Sequence, residues 1–131
     1  MGQYSGAGTI FGATGGVMEA ALRTVYSVVT GESMPNINIT PVRGLDGVKE
    51  ASLRIGALGE VRVAVAHGLG NARKLLDKIV SGEADYQFIE IMVCPGGCVG
   101  GGGQTLPVSN EKRKLRAQAL YHDDENVQEY R

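Results

Sequence analysis

The sequence predicts an α/β fold, a mixed four-stranded sheet flanked by helices, and three observations carry the prediction. Apolar residues recur at helical spacing over Thr14 to Thr30 and again over Leu69 to Val80. Three stretches between those helices alternate apolar and polar residues as strands do: Ile37 to Val42, Ala51 to Ile55 and Glu60 to Ala66. A β-rich run, YQFIEIMV at Tyr86 to Val93, follows the second helix. The order is then helix, three strands, helix, strand, helix, which is an α/β arrangement. The middle strands can pair as a hairpin, so the sheet is expected to be mixed.

Each element has local reasons. In the first helix Val17, Met18, Ala21, Leu22, Val25, Val28 and Val29 form the apolar series, with Glu19 and Arg23 between them. Thr14 is the expected N-cap and Gly31 the C-terminal stop. GALG, between the second and third strands, reads as a hairpin turn. Leu75, Leu76, Ile79 and Val80 are the expected buried face of the second helix, which Gly82 ends. After Pro107, SNEKRKLRAQALY predicts a last helix from Asn110 to Tyr121, and the polar tail HDDENVQEYR has no apolar face of its own.

The bulk properties exclude some functions. A chain of 131 residues fits one domain with a real core. A net charge of −1 gives no pull toward nucleic acid or an anionic membrane. The apolar runs are too short to span a bilayer. No basic-then-apolar leader opens the sequence, which points to the cytoplasm. Glycine is the departure: 20 residues, clustered at 1–16 and 96–103. Glycine costs backbone entropy, so clusters imply positive φ or close backbone approach. A flexible linker is the bland alternative.

TIFGATGGVMEAALR, residues 9 to 23, invites comparison with a nucleotide-binding loop. A dinucleotide fingerprint needs a buried strand, spaced glycines and a helix. Gly12 and Gly15 suit a variant spacing, but Met18 stands where the third glycine belongs, and YSGAG breaks the strand. A P-loop is excluded, because no Gly-Lys-Ser/Thr is present. The second glycine segment, FIEIMVCPGGCVGGGGQTLP, holds both cysteines, Cys94 and Cys98. Thiolates are soft ligands for zinc, copper or iron–sulfur clusters, and glycine backbone can donate to cluster sulfurs. Buried structural thiols, or a short disulfide, are the plain alternatives. His67, at a strand end, reads as an ordinary packed or surface histidine, and His122 as solvated. Two sulfurs make half of a four-thiolate site.

GAGTIFGATGGVMEAALR, VRGLDGVKEA, FIEIMVCPGGCVGGGGQ and RAQALY together closely resemble the C-terminal part of the catalytic domain of iron-only (FeFe-type) hydrogenases. They occur in the same order and span nearly the whole chain. The resemblance implies the H-cluster, a 4Fe–4S cubane bridged through a cysteine sulfur to a two-iron subcluster carrying CO, CN and a dithiolate amine. Matched by position, Cys94 is a cubane ligand and Cys98 the bridging thiolate. Met92 packs against the two-iron centre, and Phe11 lines the same pocket from the opposite side. On sequence alone both would be read as core residues. The implied reaction is 2H⁺ + 2e⁻ ⇌ H₂, with the cofactor amine relaying protons and the cubane passing electrons.

The departures are equally specific. The family's Thr-Ser-Cys-Cys-Pro and Met-Pro-Cys motifs, which carry the other two cubane ligands, do not occur in this sequence. The family's glycine run is commonly followed by Gln-Pro, whereas Thr105-Leu106-Pro107 follows Gln104 here. Residues 1–131 therefore read as a partial catalytic domain, inactive alone. The implied partners are the remainder of that domain and an electron carrier such as ferredoxin or an NAD(P)-linked subunit. Two alternatives stand beside this reading. One is a non-catalytic hydrogenase-like iron–sulfur protein, a sensor or an assembly relative. The other is a stand-alone module sharing a metal across a homodimer.

Overall fold

The computed structural model describes residues 4–36 and 39–126. Helix α1 spans Gly6–Thr9 and α2 spans Gly16–Thr30. Strands β1 (Val48–Ile55) and β2 (Gly59–His67) form an antiparallel hairpin across the expected glycine turn, with Val48 opposite Ala66 and Ile55 opposite Gly59. Helix α3 (Leu69–Val80) crosses to β3 (Phe88–Met92), which runs parallel to β2 with Val63 opposite Phe88 and His67 opposite Met92. Helix α4 spans Asn110–Asn126.

The sheet is mixed, in the order β1-β2-β3, and has three strands rather than four. Of the expected strand at Ile37 to Val42, Ile37 and Asn38 lie outside the described residues. Thr40–Val42 forms a 3-10 turn instead, with Pro41 in its first positions. The amides of Val42 and Arg43 donate to the carbonyls of Ile39 and Thr40 at 3.1 and 3.0 Å. Proline has no N–H for a sheet ladder and a fixed φ, so local bonds win there. Ile39 and Val42 still reach the core.

Alternation along β2 divides the core between the two faces of the sheet. Val63 and Val65 join Met18, Leu22, Ile39, Val42 and Ile55 beneath α2, whereas Ala64 and Ala66 pack with Leu75 beneath α3. Burying each of the larger side chains contributes about 1.5–3 kcal/mol. On α3 the buried stripe is Ala72 and Leu75, with Ile79 packed at its edge. Leu76 and Val80 are 41% and 88% exposed, contrary to expectation, because the small Ala64 and Ala66 admit only a narrow stripe.

Two further corrections concern helix ends. Gly15, at φ 91°, and not Thr14, is the N-cap of α2, while Gly31 ends the helix as expected at φ 75°. The tail is structured as far as Asn126, because it has a buried polar anchor in place of an apolar face. Asp124 is fully buried, and Arg23 donates to its carboxylate through Nη1 at 2.9 Å and Nη2 at 2.7 Å. Arg23 Nη2 also reaches Glu19 at 2.6 Å, and Arg43 binds Glu19 as a second arginine at 2.7 and 2.9 Å. The Arg43 guanidinium lies over the Tyr121 ring, 3.9 Å from its centre. This network locks α4 to α2, and α4 in turn carries the side chains that hold the cysteine loop.

Candidate metal centre

β3 delivers the chain to the cysteines with a known orientation. Glu90 points toward α2, where its carboxylate accepts from the amides of Gly15 and Met18 at 2.7 Å each. Strand alternation places Met92 on that same face. Beyond Met92 the strand ends, and Met92 O accepts the amide of Gly68 at 2.8 Å.

The loop that follows is tight and tied on every side. Gly96 and Gly97 have φ of 85° and 89°, two successive left-handed residues that side chains rarely adopt. The Gly97 amide donates to Cys94 O at 3.0 Å, and the Gly100 and Gly101 amides donate to Gly97 O and Cys98 O. Both polar groups of Gly96 are pinned by other elements. Its carbonyl accepts from Thr14 N at 3.0 Å, and its amide donates to His67 Nδ1 at 3.2 Å. With Nδ1 accepting, the ring proton is assigned to Nε2, which donates to Leu45 O at 3.1 Å. From α4, Arg116 donates to Val99 O at 2.9 Å and to Thr105 O at 3.2 Å.

The loop rests directly on the turn that holds Phe11. A Cβ on Gly97 would lie 2.8 Å from Thr14 N and 2.9 Å from Gly12 O, so the two backbones touch there. On that turn Ile10 is fully buried and Phe11 is 47% exposed. Cys98 is exposed, and Cys94 and Met92 are half-buried. The fold thus brings the Phe11 turn and the cysteine loop together and leaves all four expected residues accessible. His67, expected to be packed or on the surface, is 8% exposed and packed.

Three charged residues in this region were not anticipated as part of it. Lys49, on β1 and 5% exposed, donates to Thr14 O at 3.0 Å and to Gly44 O at 3.1 Å. Burial pushes its pKa down to about 8, against the opposing pull of Glu90 and Asp46. Glu90 occupies the position an anion would take at the N-terminus of α2. That observation disposes of the nucleotide-loop reading: the helix end is already satisfied by a carboxylate of the same chain. Glu19 completes the group. A Glu in the middle of an apolar strand and a Glu/Arg pair four apart on an apolar helix were the available signals.

The donor set suits an iron–sulfur centre in part. Two free cysteines, soft sulfur donors, sit on one short loop. A Cβ on Gly101 would lie 3.2 Å from Cys94 Sγ, so glycine there keeps the sulfur uncrowded. Arg113 Nε is buried without a hydrogen-bond partner among the described residues, 2.6 Å from where a Cβ on Gly100 would stand. Among the described residues no three Cys, His, Asp or Glu side chains converge as a metal site.

A family profile described as iron only hydrogenase large subunit, C-terminal domain, matches residues 1–102. The chain belongs to this family. It is 50% identical over 125 residues to the NADP-reducing hydrogenase subunit HndD of Solidesulfovibrio fructosivorans, covering 95% of this chain and 21% of that one. It is 52% identical over 106 residues to the periplasmic Fe hydrogenase large subunit of Nitratidesulfovibrio vulgaris, covering 81% and 25%. Among solved structures, a variant of the FeFe-hydrogenase HydA1 from Chlamydomonas reinhardtii matches with a TM-score of 0.68 at 40% identity, covering 92% of this chain and 37% of that one. More distant is a cytosolic iron–sulfur assembly component of Rattus norvegicus, 33% identical over 107 residues, covering 82% of this chain and 22% of that one. The chain spans between 21% and 25% of the length of these curated relatives. No helix among the described residues is long and apolar enough to cross a membrane.

Proposed function

We propose that this chain is one lobe of an iron-only hydrogenase catalytic site that interconverts protons, electrons and H₂, completed by the remainder of the catalytic domain. The observation that carries the proposal is the Cys94–Cys98 loop, held in a positive-φ conformation open to glycine against the Phe11 turn, in a chain of this family. Cys94 would supply one thiolate to a 4Fe–4S cubane, and Cys98, the more exposed, would supply the thiolate that serves the cubane and the two-iron subcluster. The bound H-cluster brings the hydrogen chemistry, through its CO- and CN-bearing irons and dithiolate amine, and the cubane brings electrons. The protein's part is enclosure. Met92 and Phe11 present apolar surface that keeps water from the reacting irons, and the glycine backbone leaves room for bulky inorganic ligands. Electrons arrive from a carrier such as ferredoxin or an NAD(P)-linked subunit, which the remainder of the protein would recruit. The cytoplasmic expectation likewise belongs to the whole protein, since one relative is named periplasmic.

The test is made in the complete protein under anaerobic conditions. Cys98→Ser is expected to abolish the infrared bands of iron-bound CO and CN together with hydrogen evolution. Cys94→Ser is expected to weaken or abolish the cubane signal. Intact carbonyl bands in both variants would overturn the ligand assignment. A wild-type protein with a cubane but no carbonyl bands would place the chain with the non-catalytic iron–sulfur relatives. Hydrogen evolution by residues 1–131 alone, loaded with the two-iron cofactor, would refute the view that this lobe is incomplete.

A further inference from the structure

We infer that His67 is a positioning residue that sets the shape of the cysteine loop. The inference rests on the reading of Cys94 and Cys98 as iron ligands, and it follows from how Gly96 is held. Gly96 sits midway between the two cysteines, and its φ of 85° has no side chain of its own to stabilise it. What fixes that peptide is external. Thr14 N holds its carbonyl at 3.0 Å, and His67 Nδ1 holds its amide at 3.2 Å.

His67 suits this role in three ways. It is the last residue of β2, directly opposite Met92 in the parallel pair, so its backbone is fixed by the sheet at the point where β3 hands over to the loop. Its amide donates to Gly47 O at 3.0 Å, and its carbonyl accepts from the Asn71 side chain at 2.9 Å. Its ring is buried and engaged at both nitrogens, Nε2–H to Leu45 O and Nδ1 from Gly96 N–H. The imidazole therefore joins the segment leading into β1, the end of β2 and the cysteine loop with one rigid ring. A neutral ring with one donor and one acceptor is required. The imidazolium would set a proton against the Gly96 amide.

Lysine or arginine would lack the acceptor, and a hydroxyl would not reach both partners. Asparagine and glutamine each reproduce half of the ring: Asn Oδ1 can stand near Nδ1 and Gln Nε2 near Nε2. That difference separates the loop tie from mere packing.

The experiment uses the complete protein carrying wild type, His67→Asn, His67→Gln and His67→Ala. Two readouts are taken besides activity: amide exchange of the 94–98 segment in the metal-free protein, and the rate at which a chelator strips iron from the cubane-loaded protein without the two-iron centre. His67→Ala and His67→Gln are expected to raise exchange at Gly96 on the order of tenfold, the loss of one buried hydrogen bond. Both are expected to speed iron loss, while His67→Asn stays near wild type. Equal exchange in His67→Gln and wild type, or a His67→Asn that behaves like His67→Ala while His67→Gln is normal, would overturn the inference. The exchange measurement needs no iron. If the wild-type protein takes up no cubane at Cys94 and Cys98, the ligand reading falls, and the inference about His67 is decided by Gly96 alone.

Discussion

Glu90→Gln is the substitution that most directly tests how the site is held. Glu90 is 7% exposed, and its two carboxylate oxygens accept from the amides of Gly15 and Met18 at 2.7 Å each. Both bonds are charge-assisted, and both lie at the positive end of the α2 dipole. The amide variant keeps one oxygen and turns an NH₂ toward the other N–H. One bond survives as a weaker neutral one, and one buried donor is left facing a donor. An unsatisfied buried group costs about 1–3 kcal/mol, and loss of charge assistance about 1 kcal/mol more, so the expected total is about 2–4 kcal/mol.

The cost should be local before it is global. The first turn of α2 and the preceding residues to Phe11 share one backbone turn, and Thr14 within it binds the cysteine loop. Hydrogen exchange of the Gly15 and Met18 amides reads the effect directly. The expected acceleration is on the order of 30- to 1,000-fold, the equivalent of that free energy. Glu90→Gln in which both amides remain as protected as in wild type would refute the claim that this carboxylate caps the helix.

Two other predictions follow from the same region. Gly97→Ala drives a Cβ to 2.8 Å from Thr14 N at a φ of 89°, so it is expected to part the two turns and prevent iron retention in the complete protein. Gly102→Ala meets nothing within 4 Å and is the matched control, with iron content expected to stay at the wild-type level. Lys49 gives the pH dependence: its folded pKa of about 8 lies below its ordinary 10.5, so the unfolded chain binds the extra proton between those values. Stability contributed by this group therefore rises as pH climbs from about 8 to about 10.5, by about 3 kcal/mol at most. Lys49→Met should flatten that rise in denaturation midpoints across the window, and an unchanged slope would contradict the assignment.

The elements built on local rules were legible in the sequence. Helix α3 was expected at its observed bounds, and the GALG hairpin and the β3 run were each visible from periodicity and turn chemistry. What local pattern could not reveal was polar satisfaction across long sequence separation. Thr14 has the right chemistry for an N-cap, but Glu90 arrives from 75 residues away, and its ionised side chain takes both orphan amides. The tail looked unstructured because helix prediction looks for an apolar face, whereas Asp124 is held by a buried arginine. Pro41 was the one legible warning against the fourth strand. The cysteine motif exposed the candidate site, while its supports, the Thr14 amide and the His67 and Arg116 side chains, meet the loop at backbone atoms and leave no sequence pattern there.

Under the proposed reading, those supports give a lobe that contributes two of the thiolates an ordered loop to offer them on. A flexible glycine loop would leave each incoming iron to order the loop as well as bind, and the cost of ordering would be subtracted from affinity. Here that cost is met on folding. The Gly96 peptide is fixed by Thr14 and His67, Val99 O by Arg116, and the Thr14 turn by Lys49 and by Glu90 through Gly15. Buried charge is expensive, and Lys49 shows it in a pKa held down at about 8. A chain that bears such costs around one five-residue loop is built to hold that loop still. In the proposed enzyme the other two thiolates then have a fixed counterpart to meet.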